Sequence, residues 1–232
     1  MKDVRRGQNR GHLNHGWLDT YHSFSFGEYY NPERMGFRAL RVINEDRVDP
    51  GQGFGMHGHR DMEIVTLVLE GALEHRDSLG NGEVLKPGEL QRMTAGTGIR
   101  HSEFNPSANE VVHLYQIWLQ PERPGLPPSY EQKRFEPAEQ EGRWRVVASP
   151  DGREGSLVIH QNASLYLAGL KSGETLHGQL AAGRHGWLQV LRGKVTTDEA
   201  ELVAGDAVAM SQETEFSVAA NEPAELLLFD LA

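Results

Sequence analysis

The chain contains no cysteine, and that absence excludes disulfides, iron–sulfur clusters and thiolate zinc sites together. Basic charge is also scarce: 23 Lys and Arg stand against 33 Asp and Glu, a formal net charge of −10. Sequence-independent nucleic-acid binding requires cations that neutralise phosphates, and docking on an anionic membrane has the same need, so neither is expected. No segment approaches the ~18 consecutive apolar residues of a membrane helix. The opening Met1-Lys2-Asp3-Val4-Arg5-Arg6 has no apolar stretch behind its charges, as an export signal would. A cytoplasmic location is the expectation. Alternation of helix-type with strand-type segments is missing too, which removes the α/β folds.

What is present is a series of short strand patterns separated by turn chemistry. Gly36 to Val48 alternates before a polar turn, and Met62 to Glu70 is a β-branched run long enough for a buried strand. Asn81-Gly82 is a strong hairpin signal, Pro87-Gly88 marks another turn, and Val111 to Leu119 reads as a further strand. Five of the 11 prolines fall between Pro121 and Pro137. Proline fixes φ and withholds a donor, so this stretch cannot be a central strand and is expected to be a surface linker. Beyond it, strands are expected at Ser156 to Gln161, Leu165 to Leu170, Trp187 to Leu191 and Leu226 to Leu231. The predicted class is all-β, two antiparallel jelly-roll-like barrels joined by the Pro-rich linker. Residues 1–130 would form the first domain and 131–232 the second.

The chemistry-bearing residues concentrate between Gly51 and Asn105. His57 and His59 are two apart and share a face of an extended strand, and His101 and Glu103 repeat that arrangement after the Gly-rich run Thr94-Ala95-Gly96-Thr97-Gly98. Three imidazoles and a carboxylate suit a divalent transition ion, with Fe(II) first and Ni, Co, Mn, Cu or Zn as alternatives. Octahedral coordination would leave two positions open. Glu63 shares strand parity with His57 and His59, so spacing alone leaves Glu63 and Glu103 both open as the fourth ligand. His12, His15 and His22 are irregularly spaced and read as packed histidines among aromatics. The same holds for the dispersed His160, His177 and His185. Phe54 and Met56 are candidates, by proximity, for an apolar approach.

His57-x-His59, Glu63, Gly71 and Gly98-x-x-His101-x-x-x-Asn105 resemble the two cupin motifs. With the surrounding FSFGEYY, MGFRALRVINEDRV, MTAGTGIRHSE and LYQIWL, the chain resembles the pirin family of bicupins, strongly to about Leu119 and weakly thereafter. The resemblance implies Glu103 as the fourth ligand beside His57, His59 and His101, with Glu63 free to orient a ligand imidazole by accepting its other N–H. Aligning Gly193 with Gly71 places Gln179 and Ala181 opposite His57 and His59, and His185 opposite Glu63, so the second cupin is expected to lack a metal site. Bacterial pirins include quercetin 2,3-dioxygenases, which open a flavonol heterocycle with O2 and release CO. That resemblance implies a small flavonol-like aromatic substrate, O2, one metal per chain, and Glu103 as the base for the 3-hydroxyl proton. The alternative it carries is a metal-responsive, non-enzymatic partner that regulates another protein.

Overall fold

Glu63–Glu70 is buried at every position except the last, as a strand covered on both faces must be, and the first half of the fold is assembled around it. The computed structural model describes all 232 residues. Apart from three single-turn 3₁₀ segments at Gly7–Asn9, Pro137–Glu139 and Arg153–Gly155, its regular structure is strand. No helix is long and apolar enough to cross a membrane.

The chain forms two compact units, one of residues 11–135 with 159–161, the other of residues 1–10, 136–158 and 162–232. In the first, a seven-stranded sheet runs in the order Ser129–Arg134, Glu89–Thr94, Glu63–Glu70, Val112–Leu119, Leu40–Val48, Leu18–His22, Gly11–Asn14. A four-stranded sheet runs Gly53–His59, Ile99–Phe104, Leu73–Asp77, Gly82–Leu85. Leu73 and Leu85 of the smaller sheet share one buried cluster with Val48, Val68, Val112 and Leu114 of the larger, so the two sheets enclose a common core. Each sheet keeps two edges, so the unit is the expected jelly-roll-like architecture in the form of a two-sheet sandwich without barrel closure.

The second unit repeats the plan. Its small sheet runs Thr175–Gln179, Glu215–Ala220, Lys194–Thr196, Glu201–Val203, the same chain-order pattern as the first. His185–Arg192 takes the place of Glu63–Glu70, and His185 begins its strand as Glu63 begins the other. The larger sheet has at one edge Lys2–Arg5, which pairs antiparallel with Ala207–Ser211.

Three features differ from the division at 130/131, the first being that residues 159–161 join the N-terminal unit. Residues 1–10 belong with the C-terminal segments. The division itself falls inside Ser129–Arg134, which pairs with Glu89–Thr94 at the edge of the first sheet. The six residues between Pro128 and Phe135 contain no proline, so they can supply the ladder hydrogen bonds that their flanks cannot.

Candidate metal centre

Gly53–His59 and Ile99–Phe104 pair antiparallel, with His57 opposite His101 and His59 opposite Ile99. The close approach depends on Gly53, where a Cβ would lie 2.2 Å from the Glu103 carbonyl oxygen. Between Phe54, opposite Glu103, and His57, opposite His101, the first strand has one residue more than its partner. This β-bulge breaks the two-residue alternation, which re-aims side chains as bulges near functional sites do. Phe54, His57 and His59 consequently all line one cavity. Met56, expected with Phe54 by proximity, is instead 51% exposed and does not line it.

The three imidazoles converge. His101 Nε2 lies 3.1 Å from His57 Nε2 and 2.9 Å from His59 Nε2, distances at which neutral lone pairs repel unless a proton or cation lies between them. Burial, with His57 beside it, pulls His59 down to about 4. Burial and then the neighbouring His57, His59 and His75 pull His101 down to about 2. Both rings are therefore neutral at physiological pH, the state in which imidazole binds metal.

Glu103 is buried beside them. Its Oε2 accepts a hydrogen bond from Gln116 Nε2 at 2.7 Å, and Gln116 Oε1 accepts from Trp118 Nε1 at 3.1 Å, which fixes the amide's orientation. Oε1 of Glu103 has no partner, a costly arrangement in a buried carboxylate unless a cation or donor occupies the space. Burial pushes this carboxyl up to about 7, opposed by Gln116 and reinforced by Asp46. His57, His59 and His101 have ligand atoms mutually within 4.8 Å, and so do His75, His101 and Glu103. His101 is common to both sets. The donor atoms, the orphaned carboxylate oxygen and the neutral imidazoles fit a mixed nitrogen–oxygen transition-metal site.

Glu63 does not orient a ligand imidazole as the sequence suggested. It lies opposite Thr94 in the seven-stranded sheet, and its Oε2 accepts from Thr94 Oγ1 at 3.1 Å and from the His160 backbone N–H at 3.3 Å. The second ring nitrogens of two of the three candidate imidazoles are engaged elsewhere. His57 Nδ1 is 2.8 Å from Gly55 O, and His101 Nδ1 is 3.4 Å from His75 Nδ1.

The cavity in front of the cluster measures about 340 Å³, within the roughly 300–1,000 Å³ of small-molecule sites. Phe26, Phe54, Leu13, Leu18 and Trp118 give it apolar walls, while Asn44, Asp46 and Thr20 supply a polar one. Trp118 stands edge-on to His59, with ring centroids 4.8 Å apart. Asp46 accepts from Thr20 Oγ1 at 2.5 Å, and its carboxyl is pushed up to about 7 by burial, against the Thr20 bond and with help from Glu45. His15 and His22 also line the cavity. His22 is buried, bonds Thr20 and faces Phe26 O, as a packed histidine should, whereas His12 stacks on Tyr21 at 4.2 Å at the surface and His15 is exposed, neither packed as expected. Sequence reasoning missed the Asn44–Asp46 wall and the His75–Asp77 pair behind His101. Each had a signal, two polar residues spaced by two on a strand.

Comparison with known proteins identifies the family and supports the fold. The Pirin family model matches residues 3–119, and the model for the quercetinase C-terminal cupin domain matches residues 146–231. An Escherichia coli K12 protein named quercetin 2,3-dioxygenase is 52% identical over 229 residues, covering 98% of this chain and 97% of its own. The crystal structure of YhhW from Escherichia coli superposes with a TM-score of 0.96 at 52% identity, covering 100% of this chain and 98% of that one. A structure of the bacterial pirin YhhW in complex with nickel(II) gives a TM-score of 0.95 at 51% identity, covering 100% and 99%. A two-cupin chain with this histidine cluster, matched to such relatives over nearly its whole length, belongs to the pirin family.

Proposed function

We propose that this protein is a metal-dependent dioxygenase of quercetinase type, acting on a flavonol or closely similar hydroxylated aromatic. The observation that carries the reading is the convergence of three imidazole nitrogens beside a buried carboxylate with an unpartnered oxygen, at the wall of a largely apolar cavity. Support comes from the relative named quercetin 2,3-dioxygenase and from the nickel(II) complex of a 51% identical pirin. In this reading His57, His59, His101 and Glu103 would hold one divalent transition ion, Fe(II) or Ni(II), which would supply Lewis acidity to a substrate oxygen and redox chemistry toward O2.

The chain's own residues do the rest. Phe26, Phe54 and Trp118 clasp a flat ring system and exclude water from it. Asn44 and Asp46 offer acceptors to ring hydroxyls remote from the histidines. Glu103, held through Oε2 by Gln116, presents Oε1 as the acceptor for the 3-hydroxyl proton, and the electron-rich anion that remains is the form that reacts with O2. Both oxygen atoms enter the product as the heterocycle opens, and the ring carbon that bore the 3-hydroxyl leaves as CO. The competing role, a metal-responsive binding partner, has no comparable observation behind it.

The test is CO release and O2 uptake with quercetin, using protein stripped and then reloaded separately with each candidate ion, alongside metal-loaded Glu103→Gln. Metal-dependent turnover is expected, with the loaded variant slower by ~10²- to 10⁴-fold, the usual weight of a general base. Absence of turnover of any flavonol with any ion overturns the enzyme reading. Full activity in the loaded variant removes the base role alone.

A further inference from the structure

Behind His101, on the side away from the cavity, lies a fully buried set of polar side chains that the proposed chemistry does not use. His75 has no exposed surface. Its Nε2 is 3.0 Å from Asp77 Oδ2, its Nδ1 is 3.3 Å from Gln91 Nε2 and 3.4 Å from His101 Nδ1, and its ring stacks on Tyr130 at 4.7 Å. Asp77 is itself clamped: Oδ1 accepts from the backbone N–H groups of Leu79 and Asn81 at 2.8 and 3.1 Å, and Oδ2 accepts from Asn81 Nδ2 at 2.9 Å. Three N–H donors converge on the two Asp77 oxygens, the pattern of an ionised, accept-only carboxylate, and the Gln91 amide N–H aimed at His75 Nδ1 marks that ring as neutral.

Donor and acceptor identities then propagate in one direction. An ionised Asp77 can only accept, so the His75 proton is on Nε2, and His75 Nδ1 carries a lone pair. The Gln91 amide N–H pointing at that nitrogen requires the same. His101 faces this lone pair with Nδ1, which must therefore bring the proton. His101 Nε2 is left with its lone pair, aimed between His57 and His59.

We infer that Asp77 and His75 are positioning residues that lock His101 in the Nδ1–H tautomer, so that its Nε2 is presented to the metal without a proton to displace. The inference rests on the metal-binding part of the proposed function and not on the identity of the substrate. Metal-ligating histidines commonly give their second N–H to a carboxylate or carbonyl. Here the acceptor is a second histidine, and its own proton is set by the hairpin loop that holds Asp77.

Asp77→Asn discriminates this role from mere packing because the replacement is isosteric but reverses the chain. Two backbone N–H groups face the Oδ1 position, so the amide oxygen must stay there, and the new NH2 lands opposite His75 Nε2. That nitrogen must then accept, the His75 proton moves to Nδ1, and His101 is driven to the Nε2–H form that blocks the site. Ni(II) affinity, measured by chelator competition, is expected to fall ~10- to 100-fold, the range for loss of such support. Long-range ¹H–¹⁵N correlation spectra of the metal-free proteins should show His101 as Nδ1–H in the wild type and Nε2–H in the variant. His75→Phe, which keeps a ring on Tyr130 and removes the acceptor, should weaken Ni(II) over the same range. An Nε2–H His101 in the metal-free wild type overturns the inference, as does unchanged Ni(II) affinity in either folded variant. Two Ni(II) per chain would also overturn it by making His75 a ligand. The tautomer readout needs no metal, so a wild type that bound no ion would sink the proposed function while the tautomer lock was still decided.

Discussion

Asp46 is a carboxylate kept from water by the same cavity that would receive a substrate, and its elevated value, about 7 and due first to burial, sets the sign of a pH effect. A carboxyl whose folded value exceeds its unfolded one contributes its stability fully below the unfolded value, near 4, and loses it as pH rises through the folded one. Asp46→Asn retains an acceptor for Thr20 and has no charge to bury. In metal-free protein the variant should be more stable than wild type at pH 8, by as much as about 4 kcal/mol at 1.36 kcal/mol per pKa unit, and the gap should close by pH 4. Urea unfolding at the two pH values measures it, and a gap that is absent at pH 8 or independent of pH would contradict the assignment. Residues of this kind were hard to see in the sequence. The pairs His57/His59 and His101/Glu103 were legible as candidates because two-residue spacing on strands announces a shared face, but Glu103 was preferred to Glu63 only through the family resemblance. Asp46 and Asp77 have the same spacing from Asn44 and His75, but acidic residues are frequent in this chain and nothing local distinguishes a buried one.

At the level of the element, the bulge in Gly53–His59 decides which side chains see the cavity. Strand alternation puts His57 with His59, and both line the cavity, whereas Phe54 and Met56 were grouped by proximity and the extra residue separates them. An inserted residue has no signature in hydrophobic period; only the partner strand reveals it. Gly53 is the residue that lets the bulged strand approach, since its Cβ would sit 2.2 Å from the Glu103 carbonyl oxygen and 2.6 Å from Phe104 Cα. Gly53→Val should therefore cost about 1–3 kcal/mol, as overpacking does, and weaken metal binding by displacing the Glu103 backbone. Gly58→Ala is the control, since nothing lies closer than 3.8 Å to the added carbon. Thermal unfolding and Ni(II) titration of both report the outcome, and a Gly53→Val that matched the control in both would show that close approach is not required. Ser129–Arg134 shows a second limit of sequence reading. The prolines on either side made a linker the natural expectation, whereas the proline-free residues between them satisfy a sheet edge.

For the whole molecule, metal and fold should be separable. The buried clusters are built from apolar strand faces, such as Leu188, Val190, Leu226 and Leu228 in one unit and Val48, Val68 and Val112 in the other, and neither relies on the histidines. Chelator-stripped protein and His101→Ala should both unfold cooperatively, while Ni(II) should raise Tm for the wild type alone. At an ion concentration 100 times Kd the gain is ~2.7 kcal/mol. Loss of a cooperative transition on stripping would show that the ion is part of the fold.

The pairing of Lys2–Arg5 with Ala207–Ser211 gives synthesis on the ribosome an uneven timetable. Gly11–Phe135 contains nearly everything its unit needs and can close early. The strand made before it must wait for a partner some two hundred residues later, roughly 10–40 s at translation speeds of ~5–20 residues per second. The half that carries the candidate metal centre can therefore be folded while the other half still has an unfilled sheet edge, so a stalled or truncated nascent chain would retain that histidine cluster and lose the second domain.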